Sequence, residues 1–240
     1  MSVAPTWPKV RPPLDAEQQR IMEDWYGHYL GNVLPNRFGA IDRFGHEYVL
    51  RSMVDGARTL EVGPGTGSHL QFEDLKRHEQ YVGVELRATL GNTIERDYPG
   101  VRLVVGDCQQ RIDFPDHTFD RVIAIHVLEH LDNLPAALAE FRRVLKPSGR
   151  LSIVIPCEGG AGYAMGRAVT TKRLFEKRYK VPYEPFIRHD HVNTARDVLA
   201  ALDRDFRTVH RTFYPLRVPS VDANLVIGLT LAPRGQEERA

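Results

Sequence analysis

Three glycines at alternate positions follow a short apolar run that contains an acid. The run Thr59–Val62 includes Glu61, and Gly63, Gly65 and Gly67 come next. This pattern predicts a buried strand, a tight turn in which glycine permits positive φ and close ligand approach, and then a helix. A dinucleotide site carries G-x-G-x-x-G and binds phosphate, whereas a carboxylate beside the loop repels phosphate and suits an ammonium and a sulfonium. The loop therefore favours S-adenosyl-L-methionine (SAM) over a nucleotide, and its spacing counts against a dinucleotide dehydrogenase.

Polar residues also follow three further predicted strands, where an open parallel sheet binds its ligands. Glu85 comes roughly twenty residues after the loop, where an acid accepts hydrogen bonds from ribose hydroxyls. Asp107 and Cys108 follow the third strand, where a carboxylate can accept from an adenine amino group, and His126 follows the fourth. A single acid of this kind most often lies on a solvated surface. Because all of these residues coincide with strand ends, we interpret them as one binding site.

Four histidines are candidates for general-base chemistry. They are His126, His130, His189 and His191, and the last two flank Asp190. In an extended segment His189 and His191 would point the same way, so this pair could supply a base or hold a divalent metal that binds vicinal hydroxyls. The alternative is a hydrogen-bonded loop with solvent-exposed histidines. A divalent metal is left open, and no metal ligand is assigned.

The segment from His126 to His130 also fits H-x-x-E-H, a pattern of zinc proteases. That chemistry needs both histidines on one continuous helix, one turn apart. Here His126 directly follows a predicted strand, and the next helix is expected to begin near Leu134. We therefore reject the metalloprotease interpretation.

An alternation of strands and helices begins at Arg58 and predicts an α/β fold. Strands rich in Val and Ile, separated by helices, are typical of parallel β-α-β units. The predicted strands are Thr59–Val62, Tyr81–Glu85, Val101–Val105, Arg121–Ile125 and Arg150–Ile155, with a turn at Pro147–Gly149 before the last. The predicted helices are Ser68–Arg77, Arg87–Asp97 and Leu134–Leu145. Two later runs, Phe206–Tyr214 and Leu225–Leu231, can pair antiparallel at one edge of the sheet.

The flanking segments divide the chain into three parts. Residues 1–57 are helical and rich in aromatic residues, with one helix capped by Asp15 and another around Ile41–Met53. They are interpreted either as packing on the core or as a helical lid over a ligand. Residues 58–156 form the predicted SAM-binding core. Residues 157–240 are expected to supply the acceptor side and the closing strands of the same domain.

The acceptor-side segment begins irregularly. Glu158–Gly162 is rich in glycine and predicts a mobile loop, followed by helices at Thr170–Tyr179 and Thr194–Leu202. The region mixes aromatic and polar residues, namely Tyr163, Arg167, Tyr179, Tyr183, Phe186, Arg188 and His189. Such a mixture favours a hydroxylated acceptor, such as a sugar or a polyphenol, over a long lipid tail.

Composition fits a domain of ordinary α/β size. The 240 residues are 42% hydrophobic and 26% charged, with a net charge of +1, so bulk charge gives no support for a nucleic-acid partner. Cys108 and Cys157 form neither a metal nor a redox spacing and are expected to be buried free thiols. The sequence shows no membrane-spanning stretch and no signal-peptide order over Met1–Pro13, so a cytoplasmic location is expected. A homodimer is left open.

The combined motifs resemble the class I SAM-dependent methyltransferases, especially the broad group that includes the ubiquinone and menaquinone methyltransferases. The resemblance covers Arg58 to Pro156 and is carried by Leu60–Gly67, Gly83–Glu85, Gly106–Asp107, Phe119–Asp120, Val127–His130 and Arg143–Arg150. It implies a Rossmann-like sheet of seven strands, mostly parallel with the last strand antiparallel, and helices on both faces.

The same resemblance implies roles for individual residues. Glu61, Gly63, Gly65 and Gly67 would hold the methionine part of SAM, Glu85 its ribose, and Asp107 with Cys108 its adenine. His126 would lie beside the methionine end. We therefore expect an enzyme that transfers the methyl group in line to an oxygen of a small hydroxylated molecule, with a histidine as general base. The alternatives are N- or C-methylation of a small metabolite or quinone, and a SAM-binding module without catalysis.

Overall fold

A seven-stranded sheet forms the centre of the molecule. The computed structural model describes residues 5–235, apart from the side chains of residues 35, 37, 91 and 92. The strands are β1 Ala57–Val62, β2 His78–Glu85, β3 Val101–Val105, β4 Phe119–Ile125, β5 Leu145–Pro156, β6 Phe206–Tyr214 and β7 Val226–Pro233. They lie in the order β3-β2-β1-β4-β5-β7-β6. This arrangement confirms the predicted Rossmann-like fold.

The pairing of the strands brings their carboxyl ends to one edge. Val62 at the end of β1 pairs with Val84 in β2 and with Ala124 in β4, and Glu85 pairs with Val105 in β3. These pairs are parallel, whereas β7 runs antiparallel to both β5 and β6. Segments that follow β1, β2, β3 and β4 therefore meet at the same edge, as the sequence predicts.

Helices cover both faces of the sheet. They are α1 Ala16–His28, α2 Leu34–Arg37, α3 Gly39–Val49, α4 Ala88–Asp97, α5 Leu134–Val144, α6 Ala161–Val169, α7 Thr171–Tyr179, α8 Glu184–Asp190 and α9 Ala195–Asp205. Asp15 caps α1 by accepting from the backbone N–H groups of residues 17 and 18, as expected of an N-cap acid.

Several predicted elements differ from the structure. The helix expected over Ser68–Arg77 is wrong, since the chain forms two short 3₁₀ turns there, Ser68–Gln71 and Leu75–Arg77. The loop expected over Glu158–Gly162 ends early, because α6 begins at Ala161. The turn expected at Pro147–Gly149 lies inside β5 as a bulge, where the pairing with β4 skips from Leu145 to Arg150.

Three buried apolar clusters hold these elements together. The first packs α5 and α9 on one face of the sheet, and the second packs α3 and α4 on the other. A third cluster lies apart from the sheet and joins the N-terminal segment to α7 and α8. Its buried members are Leu14, Trp25, Val33, Phe175, Tyr183 and Phe186. Burial of such side chains contributes about 1.5–3 kcal/mol each, so this cluster binds segments from distant parts of the sequence firmly to each other.

A buried polar network lies under α3. Arg121 of β4 is fully buried and donates to Glu73, to the Ser52 hydroxyl and to the Val49 carbonyl. The Glu73 carboxylate also lies 2.8 Å from His69 Nε2 and 3.1 Å from Nε2 of His78. A buried arginine is costly unless paired, and this network supplies the pairing.

Across the described part of the chain, no helix is long and apolar enough to cross a membrane.

Candidate functional site

The glycine loop after β1 has the backbone that its glycines predict. Gly63, Gly65 and Gly67 all have positive φ, at 65°, 58° and 82°. A Cβ on Gly63 would lie 2.8 Å from Val127 Cγ2, so the loop approaches the segment after β4 only because residue 63 has no side chain. A Cβ on Gly65 would meet nothing within 4 Å among the described residues. The surface over Gly65 is thus open for a ligand.

Glu85 ties the end of β2 to this loop. Its carboxylate accepts from the backbone N–H of Gly65 at 3.0 Å and from that of Arg87, also at 3.0 Å. The guanidinium of Arg87 lies 4.4 Å from the ring centroid of Tyr26 on α1, a cation–π contact. The N-terminal helix therefore reaches the position where the sequence predicts the ribose.

Glu61 lies below the loop and not on its surface. The residue is 3% exposed, and its carboxylate accepts from the Tyr81 hydroxyl at 2.7 Å. Burial raises the pKa of Glu61 above the ordinary carboxyl value. A buried carboxyl group with a raised pKa is poorly placed to repel a phosphate. Repulsion of phosphate by Glu61 therefore favours SAM over a nucleotide less than the sequence suggests. Its contact with a methionine ammonium stays a prediction.

Asp107 and Cys108 follow β3, as predicted. Asp107 Oδ1 accepts from the backbone N–H of Gln109 at 2.9 Å, which shapes the turn. Cys108 is 7% exposed, and burial raises the pKa of its thiol to about 12. Cys108 is therefore poorly suited to act as a nucleophile, and its contact with the adenine of SAM stays a prediction.

A cavity of about 340 Å³ lies between the N-terminal helices, α6, α8 and the ends of β5 and β7. Most of its wall is aromatic or aliphatic, including Trp25, Tyr26, Tyr29, Phe38, Tyr163, Tyr183, Leu30, Ile41 and Leu225. Its polar end is formed by His126, Glu129, His130, Asp190, His191 and Arg167. A volume of this size, with few convergent polar groups, is typical of a small-molecule site.

His126 occupies the sharp turn after β4. It has a φ of 54°, unusual for a residue with a side chain, and α3 passes close to it at Gly45. Its Nδ1 lies 3.3 Å from Glu129 Oε1. Burial alone would raise the pKa of Glu129, but the hydrogen bond from His126 and the charges of the histidines around it outweigh burial and lower the pKa. Glu129 is thus a buried carboxylate, 3% exposed at its side chain.

His130 and His191 meet at the same end of the cavity. Their rings lie edge to face, with centroids 4.9 Å apart. His130 Nδ1 lies 3.0 Å from the Asp190 carbonyl, and His191 Nδ1 lies 2.9 Å from Glu158 Oε2. Burial lowers the pKa of His130, but the charge and hydrogen bonds of Asp190 and the charge of Glu129 outweigh it and raise the pKa to about 9.

His189 does not join the other three histidines. The extended segment expected here is wrong, since His189 lies on α8 and His191 follows the end of that helix. A helix turns successive side chains through about 100°, so residues 189 and 191 point in different directions. His189 is half-buried outside the cavity, and its Nδ1 lies 2.8 Å from the Pro12 carbonyl.

The zinc-protease pattern also has no structural basis. Leu128–His130 is a single 3₁₀ turn, and α5 begins only at Leu134. Among the aromatic and polar residues that the sequence assigns to the pocket, Tyr163, Arg167 and Tyr183 line the cavity. Phe186 and Tyr179 instead belong to or pack on the third apolar cluster.

The acidic residues that orient the histidines were not predicted from the sequence. Asp190 and Glu158 contact histidines 60 and 33 positions away, at His130 and His191. The one available signal was that Asp190 stands between two histidines. Contacts over such separations have no local pattern in the sequence.

Comparison with known proteins agrees with this arrangement. Residues 60–153, less than half of the chain, match the family model of a methyltransferase domain. The match confirms the predicted resemblance, and with it an enzyme domain of the SAM-dependent class over those residues. It spans the glycine loop, Glu85, Asp107, His126 and His130.

Curated relatives match less than half of this chain. The chain is 32% identical over 111 residues to a sterol 4-C-methyltransferase from Caenorhabditis elegans, over 42% of this chain and 31% of that protein. It is 32% identical over 112 residues to a ubiquinone/menaquinone biosynthesis C-methyltransferase from Paracoccus denitrificans, covering 42% of each chain. It is 34% identical over 93 residues to a mitochondrial arginine-hydroxylase from Rattus norvegicus, over 38% of this chain and 26% of that protein. The chain thus spans less than half the length of these relatives.

A solved structure extends the similarity to the whole fold. A TehB-like SAM-dependent methyltransferase from Corynebacterium glutamicum superposes with a TM-score of 0.58 at 18% identity, covering 90% of this chain and all of that one. At this identity the similarity establishes the fold alone.

Proposed function

We propose that this chain, in which residues 60–153 form a methyltransferase domain, is a SAM-dependent O-methyltransferase of a small acceptor. The acceptor carries a hydroxyl group on an apolar or aromatic body. The observation that carries the proposal is the position of His126, Glu129 and His130, which lie at the polar end of an aromatic cavity directly after β4. By the family resemblance, this end of the sheet lies beside the methionine part of the donor.

The reaction needs a base and a dry, shaped site. Transfer breaks the S–CH₃ bond of SAM and forms an O–CH₃ bond, so that the sulfonium leaves as the neutral thioether S-adenosylhomocysteine. The acceptor hydroxyl loses its proton to His126 Nε2, because Nδ1 faces Glu129 at 3.3 Å. The Glu129 carboxylate then stabilises the imidazolium. The aromatic wall excludes water and aligns the acceptor with the methyl group.

The cavity supports an amphipathic acceptor. Aromatic rings from α1, α6 and the segment before α8 would stack on a planar or apolar body, whereas free sugars need many polar partners. The lining therefore favours the polyphenol-like class over the sugar among the two acceptors that the sequence suggests. The hydroxyl to be methylated would point toward His126.

Methylation of carbon or nitrogen is the second candidate. It is favoured by the mostly apolar wall and by the relatives that are named as C-methyltransferases of a sterol and of quinone biosynthesis. A SAM-binding module that does not transfer methyl groups is the third candidate. It is favoured by the relative that is named as an arginine-hydroxylase and not as a methyltransferase.

An acceptor screen distinguishes these candidates. The purified chain is mixed with SAM and with phenols, sugars, amines and quinols, and S-adenosylhomocysteine and methylated product are measured by mass spectrometry. We expect O-methylated phenols or catechols. Product on carbon or nitrogen alone would support the second candidate, and SAM binding without any product would support the third.

The base is tested by His126→Asn, since asparagine tolerates the positive φ of this position. We expect turnover to fall at least about a hundredfold, and SAM affinity measured by calorimetry to fall much less. His189→Ala is the matched control, because that ring lies outside the cavity, and it should keep wild-type turnover. Wild-type turnover of His126→Asn would rule out His126 as the base.

A further inference from the structure

We propose that Glu129, His130 and His191 form a binding site for one divalent transition-metal ion at the polar end of the cavity. One ligand atom from each residue lies within 4.8 Å of the others. Glu129 and His130 come from the turn after β4, and His191 from the end of α8. The site differs from the histidine pair that the sequence suggested, because His189 points elsewhere.

Glu129 has a buried carboxylate oxygen that no described residue uses as an acceptor. Its side chain is 3% exposed, and Oε2 has no hydrogen-bond partner among the described residues, whereas Oε1 faces His126. Leaving a buried carboxylate oxygen without a partner costs about 1–3 kcal/mol or more. A cation bound at Oε2 removes that cost, so the orphaned oxygen is evidence for a ligand that is independent of the histidines.

Both histidines are oriented as metal ligands are. A metal-binding imidazole usually donates its other N–H to a carboxylate or a carbonyl group, which fixes the ring and its tautomer. His130 Nδ1 faces Asp190, at 3.0 Å from the carbonyl and 3.2 Å from the carboxylate. His191 Nδ1 faces the Glu158 carboxylate at 2.9 Å. No hydrogen bond within residues 5–235 occupies Nε2 of either ring, so both Nε2 atoms are available.

The backbone holds the two ligand segments together before any ion binds. The Glu129 carbonyl accepts from the backbone N–H of Val192 at 2.9 Å and from that of Asn193 at 3.1 Å. The Asn193 side chain donates to the carbonyls of Leu128 and Leu131. His191 is therefore fixed beside the turn, and closing on an ion needs only small side-chain movements. This is the supporting shell that a metal site requires.

The ligand set indicates which ions fit. Two imidazoles and one carboxylate suit first-row ions such as Mn²⁺, Fe²⁺, Co²⁺ and Zn²⁺ better than Mg²⁺ or Ca²⁺, which prefer oxygen ligands alone. Three protein ligands leave coordination positions open.

The open coordination positions indicate which class of acceptor the ion would bind. This part of the inference rests on the proposed function. Glu129, His130 and His191 all line the cavity, so an ion held by them would be within reach of an acceptor with two adjacent oxygens, such as a catechol or another vicinal diol. The ion would make a hydroxyl group bound to it lose its proton more readily. That oxygen would give its proton to His126 and take the methyl group as the S–CH₃ bond of SAM breaks, leaving S-adenosylhomocysteine as the thioether.

Titration of the chelator-treated full chain with Co²⁺ alone tests the metal site, with visible absorption and calorimetry as readouts. We expect one saturable equivalent in the wild type. Glu129→Gln and His191→Ala should each weaken binding by more than about tenfold, and Asp190→Asn, which alters only the supporting shell, by about 10- to 100-fold. His189→Ala, on the same helix but outside the cavity, should bind as the wild type does.

Three results would overturn the site: no saturable binding in the wild type, wild-type affinity in both Glu129→Gln and His191→Ala, or an equal loss in His189→Ala. Circular dichroism checks that each variant is folded. His191→Ala alters a different segment from Glu129→Gln, so the test survives if one of the two variants fails to fold.

The acceptor class is tested on the Co²⁺-loaded chain. Catechol should change the cobalt spectrum, whereas resorcinol, whose hydroxyl groups are not adjacent, should not. Equal responses, or no response, would overturn chelation of the acceptor. The proposed function fails separately: if Co²⁺ binds but no acceptor is methylated, the metal site stands and the methyltransferase proposal does not. If methyl transfer proceeds without Co²⁺ binding, the reverse holds.

Discussion

Among single residues, the loop after β1 and the turn after β4 depend on each other. Gly63 has no side chain, so Val127 can lie where a Cβ would otherwise be. Val127 in turn follows His126, whose positive φ turns its side chain into the cavity. The glycine loop and the predicted base are thus neighbours through the close approach of Gly63 to Val127. Substitutions at different glycines should therefore distinguish loss of packing from loss of the space predicted for the donor.

Gly65→Ala should weaken SAM binding by at least about tenfold and lower the free energy of unfolding by about 1–2 kcal/mol. The added methyl group meets no described atom within 4 Å, so it projects into the space predicted for the donor. The positive φ of Gly65 costs about 1–2 kcal/mol for a residue with a side chain. Calorimetry with SAM and denaturant unfolding measure the two effects.

Gly56→Ala is the matched control for backbone strain. Gly56 also has a positive φ, 74°, with open space at its Cβ, but it precedes β1. It should lose similar stability and keep SAM affinity. Gly63→Ala should lose more stability than either, because its Cβ would collide with Val127 at 2.8 Å. If Gly65→Ala bound SAM as the wild type does, the donor would lie elsewhere.

The two cysteines should be almost inert in the folded chain. Burial raises the pKa of Cys108 and that of Cys157 each to about 12. At pH 8 about one thiol in 10⁴ would then be ionised, and the thiolate is the reactive form. Ellman's reagent should react slowly with the native chain and release two equivalents quickly in denaturant. Rapid reaction of one native thiol would show that its pocket opens.

At the scale of elements, sequence predicted the strands well because hydrophobic runs and their polar ends report directly on burial. The helix expected over Ser68–Arg77 failed because Asp74 adopts an extended backbone and its side chain caps a second short turn by accepting from the backbone N–H of Lys76. The glycines within Glu158–Gly162, before and at the start of α6, were interpreted from the sequence as evidence for a loop. A Cβ at Gly160 would lie 2.4 Å from the Val221 carbonyl oxygen, so that glycine serves close packing.

The candidate site, like the secondary structure, was predictable where its residues are marked by local sequence and not where they depend on distant contacts. Glu85 and His126 lie at the ends of β2 and β4 as predicted, because apolar runs in the sequence mark where strands end. Their roles stay predictions. The polar end of the cavity was found only in part, since Glu158 and Asp190 act through histidines that are distant in the sequence. Side-chain direction on α8 was predicted wrongly, because a short helix over residues 184–190 has no clear apolar period.

The network under α3 predicts an acid-sensitive stability. Burial alone would raise the pKa of Glu73, but the hydrogen bonds from His69 and His78 and the charge of Arg121 outweigh it and hold the pKa well below the ordinary value of 4.5. As pH falls, the Glu73 carboxylate is therefore protonated in the unfolded chain before it is protonated in the folded chain. The stabilisation that ionised Glu73 gives the folded state is complete above pH 4.5 and is lost as pH falls below it.

Glu73→Gln should lower the free energy of unfolding at pH 7 by about 3–5 kcal/mol, because it leaves Arg121 buried without its anion. Between roughly pH 5 and pH 3, protonation of Glu73 is linked to unfolding of the wild type. The stability of Glu73→Gln should therefore depend less on pH in this range than that of the wild type. Glu79→Gln is the control, since Glu79 is exposed and its ion pair with Arg58 is long, at 3.7 Å. Equal effects of the two substitutions would refute this account.

For the whole molecule, the third apolar cluster matters most. Phe175 on α7 is fully buried, and Trp25 of α1 packs edge to face on it at 5.2 Å. The N-terminal helix and α7 therefore form one covering layer over the cavity, although about 150 residues separate them in sequence. Any opening of that layer must move both.

Phe175→Ala should loosen both segments together and leave the sheet unchanged. Loss of a buried phenylalanine costs about 3–5 kcal/mol, and here the cost falls on the cluster. Hydrogen exchange measured by mass spectrometry should rise in α1 as well as in α7 and α8, with β1 and β4 still protected. Faster exchange in α7 alone would mean that the N-terminal helix is held by other contacts.

The position of β7 has a consequence for how the protein is made. β7 lies between β5 and β6, although it comes last of the seven strands in the chain. While the ribosome is still translating residues 226–233, β5 has an unpaired edge and β6 has no partner. Exposed edges of this kind invite pairing with other chains. The nascent polypeptide must therefore complete its sheet late, and folding chaperones would be needed most in the interval before β7 emerges.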